Sequence, residues 1–195
     1  DRLVDAVAPQ QECWVIMQET PFYVERGGQV SDQGSLIINH QAFPVIALKR
    51  IGEVVAAQIK PTVALKVGQS IRAEVAVQRR LNTMKNHTAT HLLQAALIEL
   101  FGKQIKQAGS LVDPDYLRFD FTYPENLTSN QIKQVEDLVN AKIMENIPVI
   151  IEESTYKDAV GKGVIAFFGD KYNPESVRVV QVPGFSAELC GGTHV

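Results

Sequence analysis

At 195 residues, with 45% apolar and 21% charged side chains, the chain has the composition of a folded globular protein, long enough for one substantial core or two modest ones. No apolar run approaches the ~20 residues that span a bilayer, and a net charge of −3 gives no bulk attraction to nucleic acid. Two cysteines far apart, Cys13 and Cys190, make no disulfide framework and suit a reducing cytoplasm.

Up to residue 80, short β-rich runs alternate with turn signals. Strands are expected over 13–17, 35–38, 43–48, 54–57 and 71–77. In the last, Ile71, Ala73, Val75 and Val77 share one face, and Arg72 and Glu74 the other. Gly27-Gly28, Gly34, Gly52, Pro61 and Gly68 punctuate the runs. Many short strands without a helix read as a small β-barrel or sandwich.

At Leu81 the period becomes helical. Leu81, Met84, His87, Thr88, His91, Leu92, Ala95 and Ile98 recur three or four apart, with Gly102 as the stop. Two extended runs follow, the second over 117–121. Thr128 and Gln131 form a capping-box signature for a second helix, whose apolar stripe is Ile132, Val135, Leu138, Val139 and Ile143. A strand over 148–151, a short helix over 155–160 and a strand over 177–182 complete the series. The fold class is α+β: a barrel-like domain over 1–80 holding the Gly-Gly-Gln segment, then a domain over 81–195 with two long helices on a mixed sheet.

The chemistry gathers in two pairs. His87 and His91 lie four apart on the expected helix, so both project from one face. Cys190 and His194 form a second pair, in Cys190-Gly191-Gly192-Thr193-His194, where the glycines permit a tight turn. Either pair alone also occurs as ordinary polar side chains. Together, three imidazoles and a thiolate are a donor set suited to Zn²⁺. The loop has little besides such a metal to hold it, since glycines fill it. His40, between Asn39 and Gln41, reads as an exposed turn residue, and Cys13 as a small buried hydrophobe.

The helix motif is not that of a metallopeptidase, because Thr88 stands where that motif has its general-base Glu. A phosphate-cradling loop and a serine elbow are both missing. The segment 20–34 reads as a glycine hairpin, and its paired glycines would also let backbone approach a ligand beside Gln29 and Asp32.

These motifs have a family resemblance. Thr20-Pro21-Phe22-Tyr23, followed by Gly27-Gly28-Gln29-Val30 and Asp32, resembles a signature of alanyl-tRNA synthetase editing domains and their free-standing relatives. His87-Thr88-Ala89-Thr90-His91 and the Cys190–His194 run resemble that family's two zinc motifs. Gly109-Ser110-Leu111-Val112, the run over 117–121 and Phe168-Gly169-Asp170-Lys171-Tyr172 match as well. Threonyl-tRNA synthetase editing domains share the His and Cys/His scheme but lack the Gly-Gly-Gln segment. Val24, Arg26 and Ser31 depart from the usual pattern without touching a proposed ligand.

The resemblance implies a cytoplasmic hydrolase that removes serine or glycine from the acceptor end of mischarged tRNA(Ala). One zinc would be held by His87, His91, Cys190 and His194, with Gln29 and, more weakly, Asp32 as catalytic candidates. Either one ligand is loose and the metal activates water, or the metal orders the pocket while another group positions water. The ATP-dependent synthetic site would lie upstream, and a start at Asp1 without Met reads as an excised piece. Rival readings are a free-standing trans-editing deacylase, a non-catalytic tRNA-binding module with structural zinc, and a general metallohydrolase. Arg79, Arg80, Lys85, Lys103 and Lys106 are either phosphate contacts or ordinary solvated charges.

Overall fold

A computed structural model describes residues 2–166 and 172–195, in two compact units. The first comprises residues 1–25 and 30–80; the second comprises 26–29 and 81–195. The tetrapeptide Arg26–Gln29, which the sequence alone places with residues 1–80, thus groups with the second unit. Of the motif over 168–172, only Tyr172 is among the described residues.

In the first unit the strands are β1 (Ala6–Val7), β2 (Cys13–Ile16), β3 (Gly34–Ile38), β4 (Gln41–Pro44), β5 (Ala47–Ile51), β6 (Val54–Ile59), β7 (Leu65–Lys66) and β8 (Arg72–Val75). They pair as three antiparallel sheets, β2-β6-β5, β4-β3-β8 and β1-β7, and none closes on itself. The barrel expected from the strand pattern is therefore present only as small sheets around one core. The central strands supply that core, with Leu36 and Ile38 from β3 and Ala57 and Ile59 from β6 packed with Phe22, Phe43 and Leu65. Their alternation along each strand puts every second side chain inward. The expected strand over 43–48 is two strands, because the chain leaves the β4 ladder after Pro44 and begins a new pairing at Ala47. His40 is exposed in the β3–β4 turn, where both it and Asn39 have positive φ. Cys13 packs partly buried against the core.

The second unit holds most of α1 (Val77–Phe101), then β9 (Lys106–Val112), β10 (Leu117–Thr122), α2 (Ser129–Met144), β11 (Ile150–Ser154), α3 (Tyr156–Gly161), β12 (Val177–Val182) and β13 (Ser186–Leu189). Thr128 caps α2 in a complete capping box with Gln131. The sheets here, β9-β10 and β11-β12-β13, are antiparallel rather than mixed. Short connections after β9 and β12 return the chain directly beside itself, which permits only antiparallel pairing. Among the described residues, parallel contacts are confined to the isolated bridges Gln29–Val112 and Ile165–Glu188.

The α1 and α2 helices pack on the β9-β10 hairpin around Ala96, Leu97, Ile105 and Val135, with Phe119 and Phe121 against them. Of the eight side chains that α1 buries, Thr83, His87, Thr90, His91 and Gln94 are polar and Leu92, Ala96 and Leu97 apolar, so the helix gives most of its inward face to polar groups. The stripe on α2 is buried at Val135 but open at its ends, with Ile143 49% exposed. Among the described residues no helix is long and apolar enough to cross a membrane.

Leu97 is 1% exposed at the centre of the helix–hairpin core. Leu97→Ala should therefore cost about 2–5 kcal/mol, whereas Ile143→Ala should cost well under half as much. Urea unfolding of the two variants, followed by far-UV circular dichroism, checks the contrast.

Candidate metal centre

Helical geometry brings the first pair together: His87 and His91 stand one turn apart on the buried side of α1. The β12-β13 hairpin delivers the second, since Leu189 ends β13 and Cys190 follows immediately. The four ligand atoms of His87, His91, Cys190 and His194 lie within 4.8 Å of one another. Cys190 Sγ is 3.4 Å from His87 Nε2 and 3.3 Å from His194 Nε2. An S···N edge of a zinc tetrahedron with Zn–S of about 2.3 Å and Zn–N of about 2.0 Å measures about 3.5 Å. Both edges fit.

The surroundings hold the donors in place. His87 Nδ1 lies 2.7 Å from Gln29 Oε1, and His194 Nδ1 lies 3.3 Å from Thr88 Oγ1. Each of these two histidines thus turns Nε2 to Cys190 and its other nitrogen to an oxygen, as ligand histidines do. Thr88, at the position of a peptidase's general base, also exchanges hydrogen bonds with the backbone of Val195. Arg178 on β12 donates to the carbonyls of Cys190 and Gly192 at 2.9 and 2.7 Å, and the Cys190 N–H donates back to the Arg178 carbonyl. The Cys190–His194 loop is therefore bonded to Arg178, Gln29 and Thr88, more than the expected little besides a metal.

Two glycines are fixed by space. A Cβ on Gly192 would collide with the His87 ring and lie 2.9 Å from Gln29 Oε1. A Cβ on Gly28 would collide with Ser110 of β9. Gly27 and Gly28, both at positive φ, form the two-residue turn that closes Arg26 on Gln29. The carbonyl of Gly28 accepts from Val112 N–H at 2.8 Å, which seats the turn on β9.

Burial governs the protonation of the site. It lowers His87 to about 4 and His91 to about 3, and lowers His194 further, with Arg178 adding to each. All three imidazoles are neutral at neutral pH and available as ligands. Burial pushes the Cys190 thiol up to about 11, against the opposing Gly192 N–H. Glu188, also buried, is pushed up to about 8 with Ser186 donating to it, and its Oε2 lies 3.8 Å from His91 Nε2. Without a cation these groups stay neutral.

The remaining sequence candidates separate. Gln29 is 0% exposed and sits beside His87. Asp32 is in the first unit, where its buried carboxylate accepts from Tyr23 N–H at 2.6 Å and from Arg80 through both oxygens. Three of its acceptor positions are thus taken, two by Arg80 and one by Tyr23. Lys85, Lys103 and Lys106 are exposed. Sequence reasoning did not single out Arg178, Glu188 or Thr193. A charged residue inside the apolar run Val177-Arg178-Val179 was the one signal available for the first.

Comparison with known proteins places this chain in a family. Residues 1–79 match the family model for class II tRNA synthetases (A). The chain is 48% identical over 187 residues to the alanine–tRNA ligase of Pseudothermotoga lettingae, covering 92% of this chain and 21% of that protein. Identity is 50% over 183 residues to that of Thermotoga maritima (93% and 21%), and 42% over 196 residues to that of Dehalococcoides mccartyi (98% and 22%). The chain belongs to the alanine–tRNA ligase family, as a segment spanning about a fifth of the length of the curated relatives it matches.

A zinc ion held by these four donors would displace the Cys190 proton, while the histidines have none to lose above about pH 5. Zinc affinity should thus rise at least tenfold per pH unit between about pH 5 and 7, and at least one proton should be released per zinc. Titration calorimetry in buffers of different ionisation enthalpy measures both. Gly192→Ala should lower zinc affinity by about 10–100-fold by displacing the His87 ring, read by competition with a chromogenic chelator.

Proposed function

We propose that this chain carries an editing function of the alanine–tRNA ligase family. The reaction is hydrolysis of the ester that joins serine or glycine, attached in error, to the acceptor end of tRNA(Ala). One observation supports it above others: a buried three-histidine, one-cysteine cluster with zinc-sized edges in a chain of that family. In this reading His87, His91, Cys190 and His194 are the zinc ligands, and residues 81–195 with Arg26–Gln29 are the editing domain.

The need for such a site follows from limits on binding. A pocket shaped for alanine cannot strongly exclude the smaller glycine, and serine adds a single hydroxyl. A separate hydrolytic site removes the errors. When bound, zinc supplies a Lewis acid that polarises an ester carbonyl or lowers the pKa of water. The chain's own residues keep the three imidazoles neutral through burial, hold the loop through Arg178, and orient two histidines through Gln29 and Thr88. Hydrolysis breaks the acyl C–O bond, releasing the amino acid and a free ribose hydroxyl on the tRNA, with water supplying oxygen and protons.

A second reading has an observation of its own. Four protein donors describe a closed structural zinc, whereas catalytic zinc usually keeps three and an open position. That favours a tRNA-binding module in which the metal only organises the loop. Deacylation assays separate the two. The zinc-loaded chain should hydrolyse seryl- and glycyl-tRNA(Ala) and spare alanyl-tRNA by at least ~10-fold. Chelation should abolish the activity and added zinc restore it. Zinc-loaded protein that hydrolyses none of the three would establish the binding module, and equal rates on all three would leave a nonspecific esterase.

A further inference from the structure

We propose that Gln29 is a positioning residue for the metal centre: its amide fixes the tautomer of His87 and clasps the Cys190–His194 loop to α1. The inference rests on the zinc reading above and deepens it, replacing the water-positioning role that the sequence suggested for this residue.

A backbone donor settles the orientation of the amide. The Thr193 N–H can only donate, and it lies 2.9 Å from Gln29 Oε1. A reversed amide would aim its NH₂ at that N–H and set two donors against each other. The atom 2.7 Å from His87 Nδ1 is therefore the carbonyl oxygen, which only accepts. His87 Nδ1 must then carry the proton. A neutral imidazole has one, so His87 Nε2 keeps its lone pair, and this is the nitrogen that faces Cys190 Sγ at 3.4 Å. One backbone N–H thus determines, through one carboxamide, which nitrogen of His87 is offered to a metal.

The other end of the amide completes the clasp. Gln29 Nε2 donates to Thr193 Oγ1 at 2.9 Å, so Thr193 is held through both backbone and side chain. At 0% exposure, Gln29 meets no competing solvent. Its backbone is fixed by the Arg26–Gln29 turn and by the seat on β9. The glycines at 28 and 192 serve the same contact, one letting the turn approach Ser110 and the other leaving room for the His87 ring beside Oε1. Both acceptor positions of Oε1 are occupied, by His87 and Thr193, so Gln29 has no lone pair left to take a proton from water.

Histidine-selective ¹⁵N NMR and zinc competition test the proposal on the whole chain. In the zinc-free wild type, His87 should be the Nδ1–H tautomer. Gln29→Leu, which removes the acceptor, should lose that preference and weaken zinc by about 10–100-fold, and saturating zinc should restore hydrolysis. Gln29→Glu keeps an acceptor at the same place and should bind zinc within about tenfold of wild type, forming a carboxylate–histidine–zinc arrangement. An Nε2–H tautomer in the wild type would overturn the proposal, and so would wild-type zinc affinity in Gln29→Leu. Hydrolysis that stays lost in zinc-saturated Gln29→Leu would make Gln29 catalytic instead. If the leucine variant does not fold, the wild-type tautomer and the Gln29→Glu affinity still decide. A folded wild-type chain that takes up no zinc would bring down the metal centre itself, a failure distinct from a wrong tautomer.

Discussion

Three imidazoles and a thiol packed out of water set the terms for everything around them. Each group gives up hydration when buried, and each responds by staying neutral, the histidines well below and the cysteine above their ordinary values. A divalent cation reverses this for the thiol, since a coordinated sulfur sheds its proton. Until then the cluster is sustained by hydrogen bonds from outside it. Gln29 and Thr88 bond two of the imidazoles, and Arg178 on β12 bonds the loop that carries Cys190 and His194.

The site is assembled from stretches distant in sequence: a tetrapeptide near residue 28, two turns of α1, one side chain of β12 and the last residues of the chain. Each is immobilised by backbone contacts of its own before any ligand arrives. The turn at Gly27-Gly28 is closed on itself and seated on β9, the histidines ride on a long helix, and the loop after β13 is stitched to Arg178. Metal entering such a scaffold meets donors already facing one another, so little of its binding energy goes into ordering the chain. The fourth donor makes the centre resemble a closed site, and hydrogen bonds to Arg178, Gln29 and Thr88 hold its loop besides.

The alanine–tRNA ligase family gives this arrangement its context, and the chain represents only a fifth of those proteins. The first unit shows how a motif can be shared out. Gln29 and Asp32 are three residues apart in one signature, but they serve different contacts: Gln29 beside His87, Asp32 paired with Arg80 within the strand-rich unit. Proximity in a motif is no guide to a common role: Gln29 closes the turn seated on β9, whereas Asp32, three residues on, pairs within the first unit.

Much of this was written locally in the sequence. The capping box at Thr128, the strand at 177–182, the exposed turn at His40 and the two His and Cys/His pairs depend on neighbours within four residues, and spacing alone reports them. The short strands before residue 80 were equally legible, though not their arrangement into three open sheets, because strand pairing is a long-range choice that periodicity does not encode. The same limit hid the apolar ends of α2, where Ile143 belongs to a regular stripe and still lies half in solvent. Only the tertiary structure showed that Gln29 faces His87 across 58 residues, that Arg178 grips the loop and that Asp32 is spent on Arg80. A hydrogen bond between distant segments has no period and no composition. It exists only once the backbone has fixed both ends, which is why the sequence could point to the members of the cluster but not to what aims them.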